Sequence, residues 1–572
     1  MPDFYSKVGK LPHVPDDLTL PQFILDHDHP IRPKRPKNVP WLVTDKSGRE
    51  IDLDEIQRRT NGLAVSLKER FSIGLNDPVL FFSTNHVDYP VCMWAVHRVL
   101  GIVTPCNPSF TVPELVQHLR LSKSGLIITH VDFLSTVYAA AREVGLSTKR
   151  IIVLLDQDSQ SAVNYTEFVS VDDLIAQGLK SPNTVEDVKF APGEGKERIA
   201  FYSSSSGTTG APKIVQISHY AAIANILQIA SLNKVNEENG DWEKRRYRPG
   251  DACLAVLPFY HIYGLVLILH FNMFSAMSVV VVPKFNFKEM LQSIVKHRIS
   301  SLMVVPPQVV LLCKDPIVKN FDLSSVRVVL CAAAPLTAEL YDQLGQLLPN
   351  IYIGQAYGST EATGVVSMCP VEQKCGMFGG VLAPGVVGRV VKADGTLGDY
   401  DEEGELYIRT AAAATGYLNN DTATRDTFTD GWIRSGDLVK VDKNHEIIFI
   451  DRLKEIIRVR GFQVAPAELE GCILDHPFVG DVCVVGIPHT YSGEVPLAFV
   501  VLTKDGMKRG EKDGGFAAVK SSIRKHVAEN KASFKHLHQV EITDVIPKTP
   551  SGKLLRRELR DKARSLAQNA KL

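Results

Sequence analysis

Six short apolar runs, rich in β-branched side chains, recur along this chain: Pro78–Phe82, Gly125–Thr129, Arg150–Leu155, Ala252–Leu257, Ser301–Val305 and Val326–Leu330. None alternates strictly between polar and apolar, so each reads as a strand covered on both faces. Stretches with helical spacing, such as 54–71 and 112–121, fall between them. Alternation of this kind predicts parallel sheets flanked by helices, an α/β fold. A chain of 572 residues exceeds one hydrophobic core, so roughly two to four domains are expected.

The texture changes near residue 385. Turn pairs Asp394-Gly395 and Glu403-Gly404 punctuate an alternating stretch that reads as antiparallel β structure. After Asp451-Arg452 a smaller α+β unit begins, with a helix at 466–473, strands at 481–487 and 498–503, a long helix at 516–529 and a basic tail. Gly506 to Gly515, charged and glycine-rich, reads as an exposed loop. The expected organisation is a large unit over 1–451, containing a β-rich part at about 385–450, and a small C-terminal unit over 452–572. The longest apolar stretch, Gly264 to Pro283, is interrupted by His270, Asn272 and Ser275, and is expected to be a buried helix then a buried strand. No transmembrane segment and no signal peptide are expected. Lys+Arg and Asp+Glu both number 64, so no global field draws the chain to nucleic acid or an anionic membrane. The nine cysteines form no C-x-x-C pair and are expected to be reduced.

Four local motifs bear chemistry. Ser203 to Lys213 follows a strand-like Ile199–Tyr202 and packs hydroxyls, glycines and one lysine into a short loop. Small residues let backbone N–H groups approach phosphate oxygens, and the lysine adds charge. A flexible linker has the same composition. Gly354-Gln355-Ala356-Tyr357-Gly358-Ser359-Thr360-Glu361 presents an aromatic face, a hydroxyl and a carboxylate suited to a hard cation. Ser435-Gly436-Asp437 places a carboxylate where two ribose hydroxyls can donate to it, as can an ordinary turn aspartate. Pro547 to Lys553 fixes a loop that projects Lys553, or else forms part of a solvated basic tail.

In this order and spacing the motifs carry a resemblance. With Leu257–Gly264, Ala332–Leu336, Asp451–Glu455 and Gly461–Glu470, they make the chain similar to the adenylate-forming superfamily of acyl-CoA synthetases, in particular its 4-coumarate–CoA ligase-like branch. The resemblance runs from about residue 20 to the end. It implies a large N-terminal unit of two α/β sheets plus a β-rich part, and a small mobile C-terminal lid hinged at 451–455. It also implies an ATP-dependent carboxylate–CoA ligase that forms acyl-AMP and then a thioester.

The resemblance further implies roles residue by residue. Ser205, Ser206, Gly207, Thr208, Thr209 and Lys213 hold the ATP phosphates. Ala333 and Tyr357 flank adenine, while Gln355, Ala356 and Thr360 line the nucleotide and acyl-adenylate. Glu361 binds Mg²⁺, and Asp437 and Arg452 hold the ribose. Lys553 bridges the carboxylate and the α-phosphate, with His261 and Thr208 also in the catalytic set. Lys454 is the pivot, and Arg458 lies beside it on the nucleotide side. Lys284, Arg460, Gly461 and Phe462 border coenzyme A. Tyr260, His261, Tyr263, Ala332, Gln355, Ala356 and Gln463 face the acid, an aryl or arylalkanoic acid such as a hydroxycinnamate or a medium-chain fatty acid.

The chain departs from the pattern in places. Arg458 and Arg460 stand where lysines are usual, and Ile214 and Ala356 where glycines are usual. The Ala356 methyl is expected to narrow the acyl pocket. The chain ends Ala570-Lys571-Leu572, a peroxisomal address that an import receptor would read, with the cytoplasm as the alternative location. Within the same resemblance a luciferase-like oxygenase and a carrier-loading adenylation enzyme remain as alternatives, and from a different class a catalytically silent nucleotide-binding protein.

Overall fold

A computed structural model of the chain describes every residue except 1–2, 157–165, 187, 206–212, 237–241, 243–244, 335, 337, 372–378, 461, 490–491, 513–514, 550–551 and 570–572. Ser206, Gly207, Thr208, Thr209, Gly461 and the Ala570–Leu572 tail therefore lie outside the described residues.

The apolar runs build two large sheets. Pro78–Phe82, Leu126–His130 and Ile151–Leu154 enter an eight-stranded sheet, where they run parallel to Ile102–Cys106 and Val169–Ser170. Its other edge turns antiparallel, as Ile199–Ser205 pairs with Lys213–Ser218, and Lys213–Ser218 with Gly416–Tyr417. Ala252–Ala255, Ser301–Val304 and Val328–Cys331 form the parallel centre of a nine-stranded sheet. That sheet continues into Tyr352–Ser359, the strand that carries the Gln355–Glu361 motif.

Both sheets share one core cluster. Every residue of the helix Asp88–Arg98 is buried in it, and nearly all of His219–Leu232. A helix apolar on all sides is stable only in such a place. The Gly264–Pro283 stretch is indeed a buried helix followed by the strand Ser278–Val281. The helical part, Tyr263–Phe271, is a π-helix. Its polar interruptions reach carbonyls five residues back: His270 Nδ1 lies 2.7 Å from the Leu265 oxygen, and Asn272 Nδ2 donates to that of Leu267 at 3.1 Å. Buried polar side chains here serve the wide helix rather than a ligand. No described helix is long and apolar enough to cross a membrane.

A six-stranded antiparallel sheet gathers Val387–Val391, Gly404–Arg409, Trp432–Val441 and Ile447–Arg452 with the N-terminal Phe4–Tyr5. From Ile457 onward a five-stranded sheet has its own core clusters, with Val479–His489 and Gly493–Leu502 as its long antiparallel pair. Two expectations need correction. Residues 504–510 are helical, not loop; Thr503 caps the turn, and both glycines are buried because a Cβ would lie 2.6 Å from the Phe478 carbonyl at Gly506 and 2.3 Å from the Phe516 ring at Gly510. Seven of the described cysteines are free, as expected, but Cys369 is disulfide-bonded.

One buried side chain fixes the approach to His261. Asn85 Nδ2 donates to the Ala255 and Leu257 carbonyls at 3.1 and 3.0 Å, and Asn85 Oδ1 accepts from the Phe259 amide at 2.7 Å. Asn85→Ala leaves the Leu257 carbonyl and the Phe259 amide unpaired, at about 1 kcal/mol each, while the Ala255 carbonyl keeps the Val282 amide at 3.2 Å. Native-state hydrogen exchange should then show the Phe259 amide exchanging roughly thirtyfold faster. Unchanged protection would mean that the loop is held by something else.

Candidate active site

Asp437 and Arg452 lie 15 residues apart in sequence and directly opposite each other in the sheet, as register partners on antiparallel strands. Gly436, at φ +69°, turns the chain so that Asp437 points inward. Arg452 Nε sits 3.2 Å from Asp437 Oδ1, and the Tyr357 hydroxyl donates to Asp437 Oδ2 at 2.7 Å. Burial raises the Asp437 pKa, and Arg452, the phenol and Lys553 oppose that rise. The strand bearing Tyr357 needs glycine next to it. A Cβ on Gly358 would stand 1.9 Å from the Gly364 carbonyl, at a bulge in the pairing.

A cavity of about 760 Å³ opens over this pair. Ser205 and Lys213 enter it from the eight-stranded sheet, and Ala333, Gln355, Ala356, Tyr357, Thr360 and Glu361 from the nine-stranded sheet. His261 lies on its wall, and Lys454 and Lys553 close it from the C-terminal side. Gln355 Oε1 accepts from the Leu336 amide at 2.9 Å, while its buried Nε2 has no partner among the described residues. An orphan donor on a cavity wall fits a polar ligand. Ala333 adopts φ +73°, a conformation that costs a non-glycine residue energy and recurs at ligand sites.

Glu361 accepts two hydroxyl hydrogens on Oε1, from Ser205 at 2.9 Å and from Tyr417 at 2.8 Å. No hydrogen bond from the described residues reaches Oε2. One carboxylate with an open oxygen suits Mg²⁺, which takes few protein ligands and completes its shell with phosphate and water. Tyr417 was not legible as a site residue from sequence. Only its pairing with Lys213–Ser218 brings it here.

Lys553 sits on a tight turn. The Gly552 amide donates to the Thr549 carbonyl at 2.8 Å, and the Lys553 amide to Thr549 Oγ1 at 3.0 Å. Gly552, at φ +80°, lies so close to Val305 that a Cβ would be 2.8 Å from its methyl. Burial, and then the Arg452 charge, lower the Lys553 pKa to about 8, while Asp437 and Glu361 pull it the other way. Burial and Lys553 together push His261 down to about 4. His261 is thus neutral near pH 7; its Nδ1 accepts the Tyr263 amide hydrogen at 3.2 Å, which puts the ring proton on Nε2.

The remaining expected residues lie elsewhere. Tyr260 and Lys284 line a second cavity of about 970 Å³, with Lys548 and Gly552 at its mouth. Tyr263 reaches neither cavity; it is buried and donates to the Leu330 carbonyl at 3.0 Å. Ala332 is buried and faces neither. Arg458, Arg460, Phe462 and Gln463 occupy a hairpin formed by Ile457–Val459 and Phe462–Val464, away from both cavities. Phe462 is 55% exposed and stacks on Phe534 at 4.6 Å. The described residues contain no cluster of three or more His, Cys, Asp or Glu arranged to hold a metal ion.

Known proteins resemble this chain in sequence and in fold. Residues 32–418 match the AMP-binding enzyme family, and residues 468–553 match the AMP-binding enzyme C-terminal domain. Similar proteins include 4-coumarate–CoA ligase 2 of Petroselinum crispum, 31% identical over 98% of this chain and 97% of that one. The 4-coumarate–CoA ligase 2 of Oryza sativa subsp. japonica is 33% identical over 97% and 94%. Among solved structures, the anthranilate CoA ligase AuaEII with anthranoyl-AMP aligns at TM-score 0.82 and 22% identity, covering 97% and 99%. ATP-bound MatB from Rhodopseudomonas palustris aligns at 0.79 and 22%, covering 96% and 99%. The chain belongs to the AMP-binding, adenylate-forming enzyme family. Within that family it is an acid–thiol ligase of the acyl-CoA synthetase type.

A pKa near 8 for Lys553 gives a signed expectation. The lysine is cationic below that pH and loses its charge above it. If the charge serves the reaction, kcat/KM for ATP should fall as pH rises through about 8. Lys553→Arg, cationic throughout, should remove that fall even if its absolute rate is low. A fall of equal midpoint in both enzymes would assign it to another group.

Proposed function

We propose that the chain joins a slender aryl, arylalkanoic or medium-chain carboxylic acid to coenzyme A through an acyl-AMP intermediate. The observation that carries this reading is the convergence of Lys553 with Glu361, Asp437 and Arg452 on one cavity, from sequence positions up to about 190 residues apart. In the first step a carboxylate oxygen attacks the ATP α-phosphate, the bond to the β-phosphate breaks, and pyrophosphate leaves. In the second the thiol of coenzyme A attacks the acyl carbon, AMP leaves, and the thiol proton passes to solvent or base. Both steps move negative charge, so fixed cations and donors do most of the work.

Asp437 would accept the ribose hydroxyls and Tyr357 would cover the adenine face, while Gln355 Nε2 would donate to the nucleotide or acyl-adenylate. Lys213 and the loop before it would hold the triphosphate. Glu361 would hold Mg²⁺, which when bound neutralises phosphate charge. Lys553 would bridge the acid and the α-phosphate. At about 4 Å and an effective dielectric near 20, one such contact is worth about 4 kcal/mol, roughly a thousandfold in rate. The second cavity, with Tyr260 and Lys284, lies on the side from which coenzyme A would enter. The hinge at 451–455 would let the C-terminal unit withdraw Lys553 between steps and turn the 457–464 hairpin toward the site. The aromatic-acid half of the reading rests on the relatives' names and on the benzoate CoA ligase of Burkholderia xenovorans LB400, whose structure aligns at TM-score 0.77 and 20% identity. The Ala356 methyl favours narrow acids of either kind.

Lys553→Ala should lose on the order of a thousandfold in acid-dependent ATP–pyrophosphate exchange. It should keep thioester formation from synthetic acyl-AMP; equal loss of both half-reactions would remove Lys553 from the adenylation step. A panel of cinnamic, benzoic, phenylacetic and C6 to C16 fatty acids with ATP and coenzyme A identifies the acid. Exchange without thioester would point instead to a carrier-loading enzyme, and no exchange to a silent binder. We also propose that the Ala570–Leu572 tail directs the protein to peroxisomes. A tagged form lacking those residues should stay cytosolic, and unchanged import would refute the address.

A further inference from the structure

Lys213 and Glu361 carry opposite charges in one cavity, yet they form no ion pair with each other. Tyr417 stands between them. Its hydroxyl donates to Glu361 Oε1 at 2.8 Å, and its ring face carries the Lys213 ammonium 4.6 Å from the centroid. The ring is fixed. It is 7% exposed, the Phe428 ring meets its edge at 5.7 Å, and the Tyr417 amide donates to Thr424 Oγ1 at 2.9 Å. Gly416 before it takes φ +147°, where a Cβ would stand 2.8 Å from the Thr424 methyl, so the turn that delivers Tyr417 is itself specific.

We propose that Tyr417 is a positioning residue that keeps the metal-binding carboxylate and the phosphate-binding lysine apart and aimed before ATP arrives. This rests on the reading that Glu361 serves Mg²⁺ and Lys213 the triphosphate. A direct Lys213–Glu361 pair would have to break before either ligand bound, and breaking it would weaken both. Tyr417 replaces that pair with two separate contacts. The hydroxyl bond occupies Oε1 and leaves Oε2 to the cation, while the cation–π contact leaves the ammonium's N–H donors to phosphate.

The two contacts separate by mutation. Tyr417→Phe removes the hydroxyl and keeps the ring; Tyr417→Leu removes both. ATP binding to the full-length protein is measured by calorimetry in EDTA and again in Mg²⁺. Tyr417→Phe should bind ATP in EDTA within about twofold of wild type but lose about tenfold of the tightening that Mg²⁺ brings. Tyr417→Leu should lose several-fold in EDTA as well. The proposal is overturned if Tyr417→Phe keeps the full Mg²⁺ effect, or if it loses as much in EDTA as Tyr417→Leu. If Tyr417→Leu does not fold, the Tyr417→Phe pair of titrations decides alone, since a merely structural role moves both affinities together. Wild-type protein that binds no ATP, or binds it regardless of Mg²⁺, would overturn the ATP and Mg²⁺ reading itself, a result visible before any variant is made.

Discussion

The pairing of buried Asp437 with partly exposed Arg452 organises the site, because it is held by backbone pairing and not by side chains alone. A charge removed from water adds little net stability unless its partner's geometry and its remaining hydrogen bonds are satisfied. Here the geometry comes from antiparallel register, and the Tyr357 phenol supplies a further bond at 2.7 Å. That phenol ties the six-stranded sheet to the Tyr352–Ser359 strand of the nine-stranded sheet. The pair also sets the field around Lys553: Asp437 attracts it and Arg452 repels it. One cross-strand contact thereby joins two sheets, and with burial it bears on the charge of the Lys553 side chain.

Glu361 repeats the design in another register. Its carboxylate is braced by Ser205 from one sheet and by Tyr417 from that sheet's nearer edge strand. Neither brace is a cation. Neutral hydroxyls hold an anion in place without cancelling its charge, so the carboxylate stays available to a cation that arrives later. Gln355 follows the same logic, with one end of its amide satisfied by Leu336 and the other left open. In each case a polar group is half satisfied by the fold.

Much of the fold was legible because parallel strands covered on both faces are continuous apolar runs. The runs at 78–82, 125–129 and 301–305 became strands almost to the residue. The site was legible where chemistry and sequence motif coincide, as at Gln355–Glu361 and Asp437. It was not legible where a residue acts through pairing across the fold. Tyr417 lies in a two-residue strand, too short to leave a periodic signal. Tyr263 was misleading for the reverse reason: it shares a motif with His261, but the π-helix that begins there turns its phenol toward backbone carbonyls. The glycines at 506 and 510 resemble loop residues in composition, and only their contacts with Phe478 and Phe516 show that they allow close helix packing.

Arg452 ends its strand two residues before Lys454, and this position bears on how one cavity can serve two reactions. Arg452 is fixed in the six-stranded sheet opposite Asp437, so the proposed rotation beginning at 454 would leave that pair intact. Lys553 lies on the other side of that pivot. Its surroundings are not neutral toward its staying: Arg452 and burial disfavour the ammonium, and the acidic groups favour it. In the proposed cycle, ATP and the acid add negative charge and hold the lysine in. Departure of pyrophosphate removes most of that charge while Arg452 remains. In that cycle the arginine proposed to secure the nucleotide would then repel the lysine that has finished its step, so the electrostatics of two neighbouring cations would favour this order of events.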